Sequence, residues 1–145
     1  MAGFAEVLRQ AGVLGAGGAG FPTYRKLSAK AEVVIANGAE CEPMLHKDQA
    51  LMAGRAAEVI DGLRRAMAAV GAAKGYLAVK EKHGAAIEAL RRVSAGDAGI
   101  ELHPLPDIYP AGDEVILIYE TTARVVPPGA LPGTVGVLVD NVETL

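Results

Sequence analysis

The chain has 145 residues, with 14 basic against 17 acidic side chains and a formal net charge of −3, so it carries no electrostatic footprint for a nucleic-acid backbone. It is 51% hydrophobic, yet aromatics make up 4% and tryptophan is absent, which removes the stacking platforms that single-stranded bases need. A single cysteine, Cys41, excludes an internal disulfide and any multi-cysteine zinc or iron–sulfur site built by this chain alone.

In chain order, Phe4, Val7 and Leu8 fall at helical spacing, and the spacing predicts a short amphipathic helix over Phe4–Gln10. Five glycines follow between Gly12 and Gly20, then Pro22 at a turn and Thr23 as N-cap of a brief helix through Lys26 to Ala29. Glu32 to Ala36 reads as a buried strand closed by Asn37-Gly38. A long helix is expected from Asp48 to about Val70, with Met52, Ala56, Val59, Leu63, Met67 and Val70 on one stripe and Gly71 ending it. A strand over Gly75–Val79, a helix over Gly84–Val93 and a strand over Ile100–Leu102 that stops at Pro104 continue the alternation, which argues for a parallel sheet. DEVILIYETTA is apolar enough that its helix should be sandwiched, VVPPGALPG reads as a loop, and Thr134–Val139 is a final buried strand.

No apolar run reaches the roughly 20 residues of a membrane helix, and the N-terminus lacks the pattern of a secretory signal, so a cytoplasmic domain is expected. His46, His83 and His103 show no metal-ligand spacing, and no metal is expected. The sequence stops at NVETL directly after a strand, so Glu143-Thr144-Leu145 reads as the first turn of a helix in a longer polypeptide.

The polar residues cluster where strands end. Gly15, Gly17 and Gly20 satisfy G-x-G-x-x-G, and Gly18 and Lys26 add a backbone cradle and a cation suited to phosphate; a tight structural turn fits the same residues. Asn37, Glu40 and Glu42 stand after the first strand, able to bond ribose hydroxyls, a flavin edge or a carboxamide, or simply to be solvated loop acids. Tyr109, Gly112, Asp113 and Glu114 form a second acidic loop, and Asp140, Asn141 and Thr144 a third, where Asn141 also suits a helix cap. Such loops converge on one rim of a parallel sheet. Cys41 lies between two carboxylates, which disfavour a thiolate nucleophile, so a structural role is expected.

GxGGAGFPTxxKL, NGAECEP with a D-x-x-LM helix start, YPAGDE and DNVETL together, and in this order over the whole chain, resemble one flavin-binding domain. It is shared by the RnfC component of the Rnf electron-transport complex, the cobalamin reductase of propanediol-utilising microcompartments and the NADH-oxidising flavoprotein subunit of respiratory complex I. The resemblance implies a Rossmann-like α/β domain, a parallel sheet flanked by helices, that binds FMN and NADH. It assigns the dinucleotide and the flavin border to Gly15, Gly17, Gly18, Gly20, Phe21 and Lys26. It places Asn37, Glu40 and Glu42 between flavin and nicotinamide, Tyr109, Gly112, Asp113 and Glu114 along the flavin ring, and Asp140, Asn141 and Thr144 at the last flavin and phosphate contacts. Glu42 and Glu114 would accept from the nicotinamide amide while hydride passes to the flavin. Electrons would leave for iron–sulfur clusters in domains or subunits outside this chain, so the partners implied are other members of an electron-transfer complex. Ala16, Ala39 and Asp113 stand where the complex I subunit has arginine, aspartate and glutamate, and NGAECEP and YPAGDE look like the Rnf and cobalamin reductase branch. A nucleotide-binding or scaffolding domain without turnover is the reading from a different class.

Overall fold

A computed structural model describes residues 3–145. Its centre is strand β1, Val33–Gly38, a run of Val, Ile and Ala buried on both faces, as expected of a strand inside a parallel sheet. Strands β2 (Lys74–Lys80), β3 (Ile100–Leu105) and β4 (Val137–Asn141) complete a four-stranded, all-parallel sheet in the order β3-β2-β1-β4. Side chains alternate across it. Val34 and Ala36 join one core with Leu63, Leu77 and Leu90, while Val33 and Ile35 join another with Leu117, Ile118 and Val139. The first core packs under helices α4 (Ala56–Val70) and α5 (Gly84–Ser94), the second under α6 (Glu114–Thr122). This is the expected α/β sheet flanked by helices. Because β1 is followed outward by β2 and β3 on one side and by β4 on the other, strand order reverses between β1 and β4, where doubly wound sheets open a crevice at the strands' carboxyl ends.

Helix α1 spans Phe4–Gln10 as the spacing predicts, and α2 covers Thr23–Leu27. Thr23 is not the N-cap: it lies inside the helix after Pro22, and its buried hydroxyl has no partner among the described residues. The long helix expected from Asp48 to Val70 is two. Helix α3 (Lys47–Gly54) ends at Arg55, whose φ of −131° and ψ of 36° are not helical, and α4 starts anew at Ala56. Gly54 supplies the weak point, and Arg55 serves both helices: its N–H donates to Leu51 O at 2.7 Å and its carbonyl accepts from Glu58 N at 3.0 Å. The apolar stripe continues across the break, so periodicity alone hides it.

Strand β3 runs through Pro104 to Leu105, because an edge strand tolerates a residue without an N–H. Helix α6 is not sandwiched: Leu117 and Ile118 are buried, while Val115, Ile116 and Tyr119 remain exposed. Pro132–Val135 forms a 3-10 turn and β4 begins at Val137, three residues later than the sequence implies. Beyond β4, Asn141 Oδ1 accepts from Glu143 N at 2.9 Å, capping the turn at Glu143-Thr144. Among the described residues no helix is long and apolar enough to cross a membrane.

Candidate functional site

The glycine segment is a closed loop. Leu14 bridges Pro22, Gly15 N donates to Phe21 O at 2.8 Å, and Ala16 N donates to the Thr144 hydroxyl at 2.9 Å, which ties the loop to the end of β4. Gly18 and Gly20 have φ of 100° and 60°, conformations that a Cβ would strain. Residues 16–19 form a turn in which part of the amides bond within the loop, while among the described residues the Gly17 amide has no protein acceptor.

The loop forms one wall of a cavity of about 770 Å³ that runs along the edge strand β4, from Val137 at its start to the carboxyl ends of β1 and β4, within the size range of small-molecule and cofactor sites. Gly15, Gly17, Gly18, Gly20, Phe21 and Lys26 line it from the first segment, Asn37, Glu40 and Glu42 from the second, Gly112 and Glu114 from the third, and Asp140 and Asn141 from the fourth. Segments from Gly15 to Asn141, nearly the whole chain apart in sequence, thus meet at one mouth. Tyr109, Asp113 and Thr144 stand outside the lining: Tyr109 is 82% exposed, and Thr144 acts on the loop through Ala16.

Several acids that the sequence marks as candidates are committed to the fold. Asp113 caps α6, accepting from Val115 N at 3.0 Å and Ile116 N at 3.1 Å. Glu40 accepts from Asp48 N at 2.9 Å at the start of α3. Asn37 Nδ2 donates to Gly112 O at 2.9 Å and its Oδ1 accepts from Ala39 N, so it pins the third segment onto the first strand. Gly112 is enforced here by close approach, since a Cβ would lie 2.9 Å from that of Ala39 and 3.2 Å from Cys41 Sγ. Cys41 Sγ accepts from Gly112 N at 3.2 Å, a structural role.

Lys26 reaches from α2 to the end of β4. Its Nζ donates to Val139 O at 2.7 Å, lies 3.2 Å from Glu114 Oε1 and 3.7 Å from Asp140 Oδ1, and stands 5.8 Å from the Phe21 ring centroid. Asp140 is 3% exposed, and its Oδ2 has no hydrogen-bond partner among the described residues. Burial pushes its carboxyl up to about 6, against the pull of Lys26. Glu42, by contrast, is exposed at the mouth.

A second buried acid went unmarked in the sequence. Asp48, also 3% exposed, accepts from Asn141 Nδ2 at 2.7 Å and pairs with Lys47 at 2.5 Å, while Lys47 also reaches Glu143 at 2.7 Å. The D-x-x-LM motif held that signal. Arg25, Lys30 and the Leu131-Pro132-Gly133 turn also line the cavity, and no spacing in the sequence marks them.

Known proteins share this arrangement of sequence and fold. Cobalamin reductase PduS of Citrobacter freundii is 55% identical over 140 residues, covering 97% of this chain and 31% of that protein. A component of the Na(+)-translocating ferredoxin:NAD(+) oxidoreductase complex of Acetobacterium woodii is 44% identical over 143 residues, covering 96% of this chain and 32% of that protein. The chain therefore spans about a third of the length of these relatives. Among solved structures, a chain of the NAD+-reducing NiFe hydrogenase in the air-oxidized state superposes with a TM-score of 0.81 at 27% identity, over 97% of this chain and 28% of that one. The family model of the Nuo51 FMN-binding domain matches residues 8–145, and the chain belongs to that family of oxidoreductase flavoprotein domains.

Proposed function

We propose that this chain is the electron-entry domain of an NADH oxidoreductase of the Rnf type, holding FMN and receiving NADH in the cavity along β4. The observation that carries the reading is the meeting of four separated segments at one cavity whose wall includes a glycine loop with a free amide at Gly17 and a buried, unpartnered carboxylate oxygen. These features fit a flavin nucleotide: the glycine-loop amides suit a phosphate, the face without side chains at Gly112 suits a flat ring, and the buried Asp140 Oδ2 is left without a partner in the wall. Bound FMN would supply a hydride acceptor that can also release single electrons.

The protein's part is binding and orientation. Gly17, Gly18 and Gly20 present amides to phosphate, and Phe21 at the mouth offers its face to the dinucleotide. Lys26 balances charge beneath them, while Asn37 and Asn141 hold the strand ends that carry the flavin contacts. Glu42 and the Glu114 oxygen not engaged by Lys26 accept from the nicotinamide carboxamide, fixing which face is presented. Glu40, Asp113 and Thr144 act indirectly, through the helix caps and the loop tether they make, and Tyr109 stands at the approach. Iron–sulfur clusters in other domains or in partner proteins would take the electrons, with the assembly on the cytoplasmic face of a membrane.

A second reading, an electron-entry domain of a cobalamin reductase, is favoured by the higher identities, 55% and 54%, to PduS proteins of two organisms. Anaerobic rapid mixing of the flavin-loaded full-length protein with NADH tests both. Rapid loss of the visible flavin band supports NADH oxidation, and subsequent reduction of a cobalamin or a ferredoxin-type acceptor separates the two. A protein that binds FMN but is not reduced by NADH would instead be a nucleotide-binding scaffold.

A further inference from the structure

Asp140 ends β4 against the cavity, and one of its oxygens meets no donor among the described residues. The other is 3.7 Å from Lys26 Nζ, an ammonium already bonded to Val139 O and lying closer to Glu114. One lysine thus faces two carboxylates, and the more buried carboxylate has the poorer contact. The trio carries a net charge of −1 when both acids are ionised and zero when Asp140 holds a proton. The Asn141 backbone N–H also favours the ionised form, less than burial opposes it, and Arg25 and Lys30 line the same cavity. Across the sheet Asp140 is in register with Ala36 on β1, which brings no charge. On α3, Asp48 and Lys47 pair with each other, with Asn141 and with Glu143. Burial raises the carboxyl to about 6, Lys26 pulling it down and Glu114 up, so its charge is adjustable near neutral pH.

Resting on the flavin reading above, we propose that Asp140 is the proton-linked residue of the site: filling the cavity with an anionic flavin nucleotide makes Asp140 take up a proton from solvent, so affinity falls as pH rises. Two effects act in the same direction. A ligand over the cavity excludes water from a carboxylate already short of donors, and the ligand's phosphate adds like charge to a trio that is negative when Asp140 is ionised. Both favour the neutral acid. Once protonated, Asp140 leaves Lys26 with Glu114 as its ionic partner, and the trio no longer repels the anion.

Titration calorimetry of FMN into the flavin-free full-length protein, in buffers of differing ionisation enthalpy between about pH 5 and 8, reads proton uptake directly. The FMN phosphate titrates near pH 6 and contributes to wild type and to Asp140→Asn alike, so the difference between the two is the measurement. The expected result is up to about one extra proton taken up by wild type, with an affinity loss steeper by as much as about tenfold per pH unit. Equal uptake by both proteins overturns the role of Asp140 and leaves the flavin reading standing. No binding by wild type overturns the flavin reading itself, and this inference with it. If the variant fails to fold, a ¹³C NMR titration of the Asp140 carboxyl in wild type replaces it: a midpoint that rises on adding FMN supports the inference, and one that stays or falls overturns it.

Discussion

Asp48 and Asp140 are both 3% exposed and both stand at the rim of the same cavity, but their surroundings differ. Each oxygen of Asp48 has a partner, Lys47 on one side and Asn141 on the other. Asp140 has one oxygen bare and the other at 3.7 Å from a lysine it shares. A buried acid with full partners has committed its bonding capacity to the fold. A buried acid left short keeps a binding capacity that a ligand can use, at a cost to the empty protein.

Removing Asp48 should cost the most. Asp48→Ala takes the short acceptor from Asn141 Nδ2 and one of two carboxylates from Lys47, which keeps Glu143, and an unfolding titration in urea should show a loss of about 3 kcal/mol; a loss under about 1 kcal/mol would erase the contrast between the two acids. Asp140→Asn should act in the opposite direction. Burial pushes the folded carboxyl up to about 6 from 3.8, so the folded state holds the proton more tightly, and this group's contribution to stability is fully present below about pH 4 and lost as pH rises through about 6. At pH 8 the variant should therefore be more stable than wild type by up to about 3 kcal/mol, and its stability should not decline across that window.

A pair of glycines sharpens the same distinction between fold and site. Gly112→Ala forces a Cβ to within 2.9 Å of Ala39, and should cost about 2 kcal/mol in thermal unfolding together with flavin affinity. Gly17→Ala meets Asn141 Cβ at an ordinary 3.5 Å, so stability should change by less than about 0.5 kcal/mol while FMN and NADH affinities fall. Unchanged affinities in Gly17→Ala would remove the loop from the site.

The sheet was legible because its strands are short Val/Ile/Ala runs punctuated by Gly and Asn. The break at Arg55 was not, since the apolar stripe carries on across it. Pro104 misled because a strand's position in the sheet, which the sequence does not show, decides whether proline is tolerated. At the site, the ordered motifs brought thirteen residues to one cavity. They did not separate acids that cap helices, such as Asp113 and Glu40, from acids open to a ligand, such as Glu42. Both kinds are favoured where a strand gives way to a helix, and which donor each oxygen meets depends on contacts far away in sequence. Asp48 was hidden for the same reason: its partner Asn141 lies at the other end of the chain.

Flavin binding in the cavity along β4 is the claim on which the roles of all these residues depend. A crystal structure of the full-length protein with FMN bound tests it most directly. It should place the ring against Gly112, with the phosphate on the amides of the glycine loop and Asp140 enclosed in the wall of the filled cavity. Flavin bound elsewhere, with that cavity filled only by water, would contradict it.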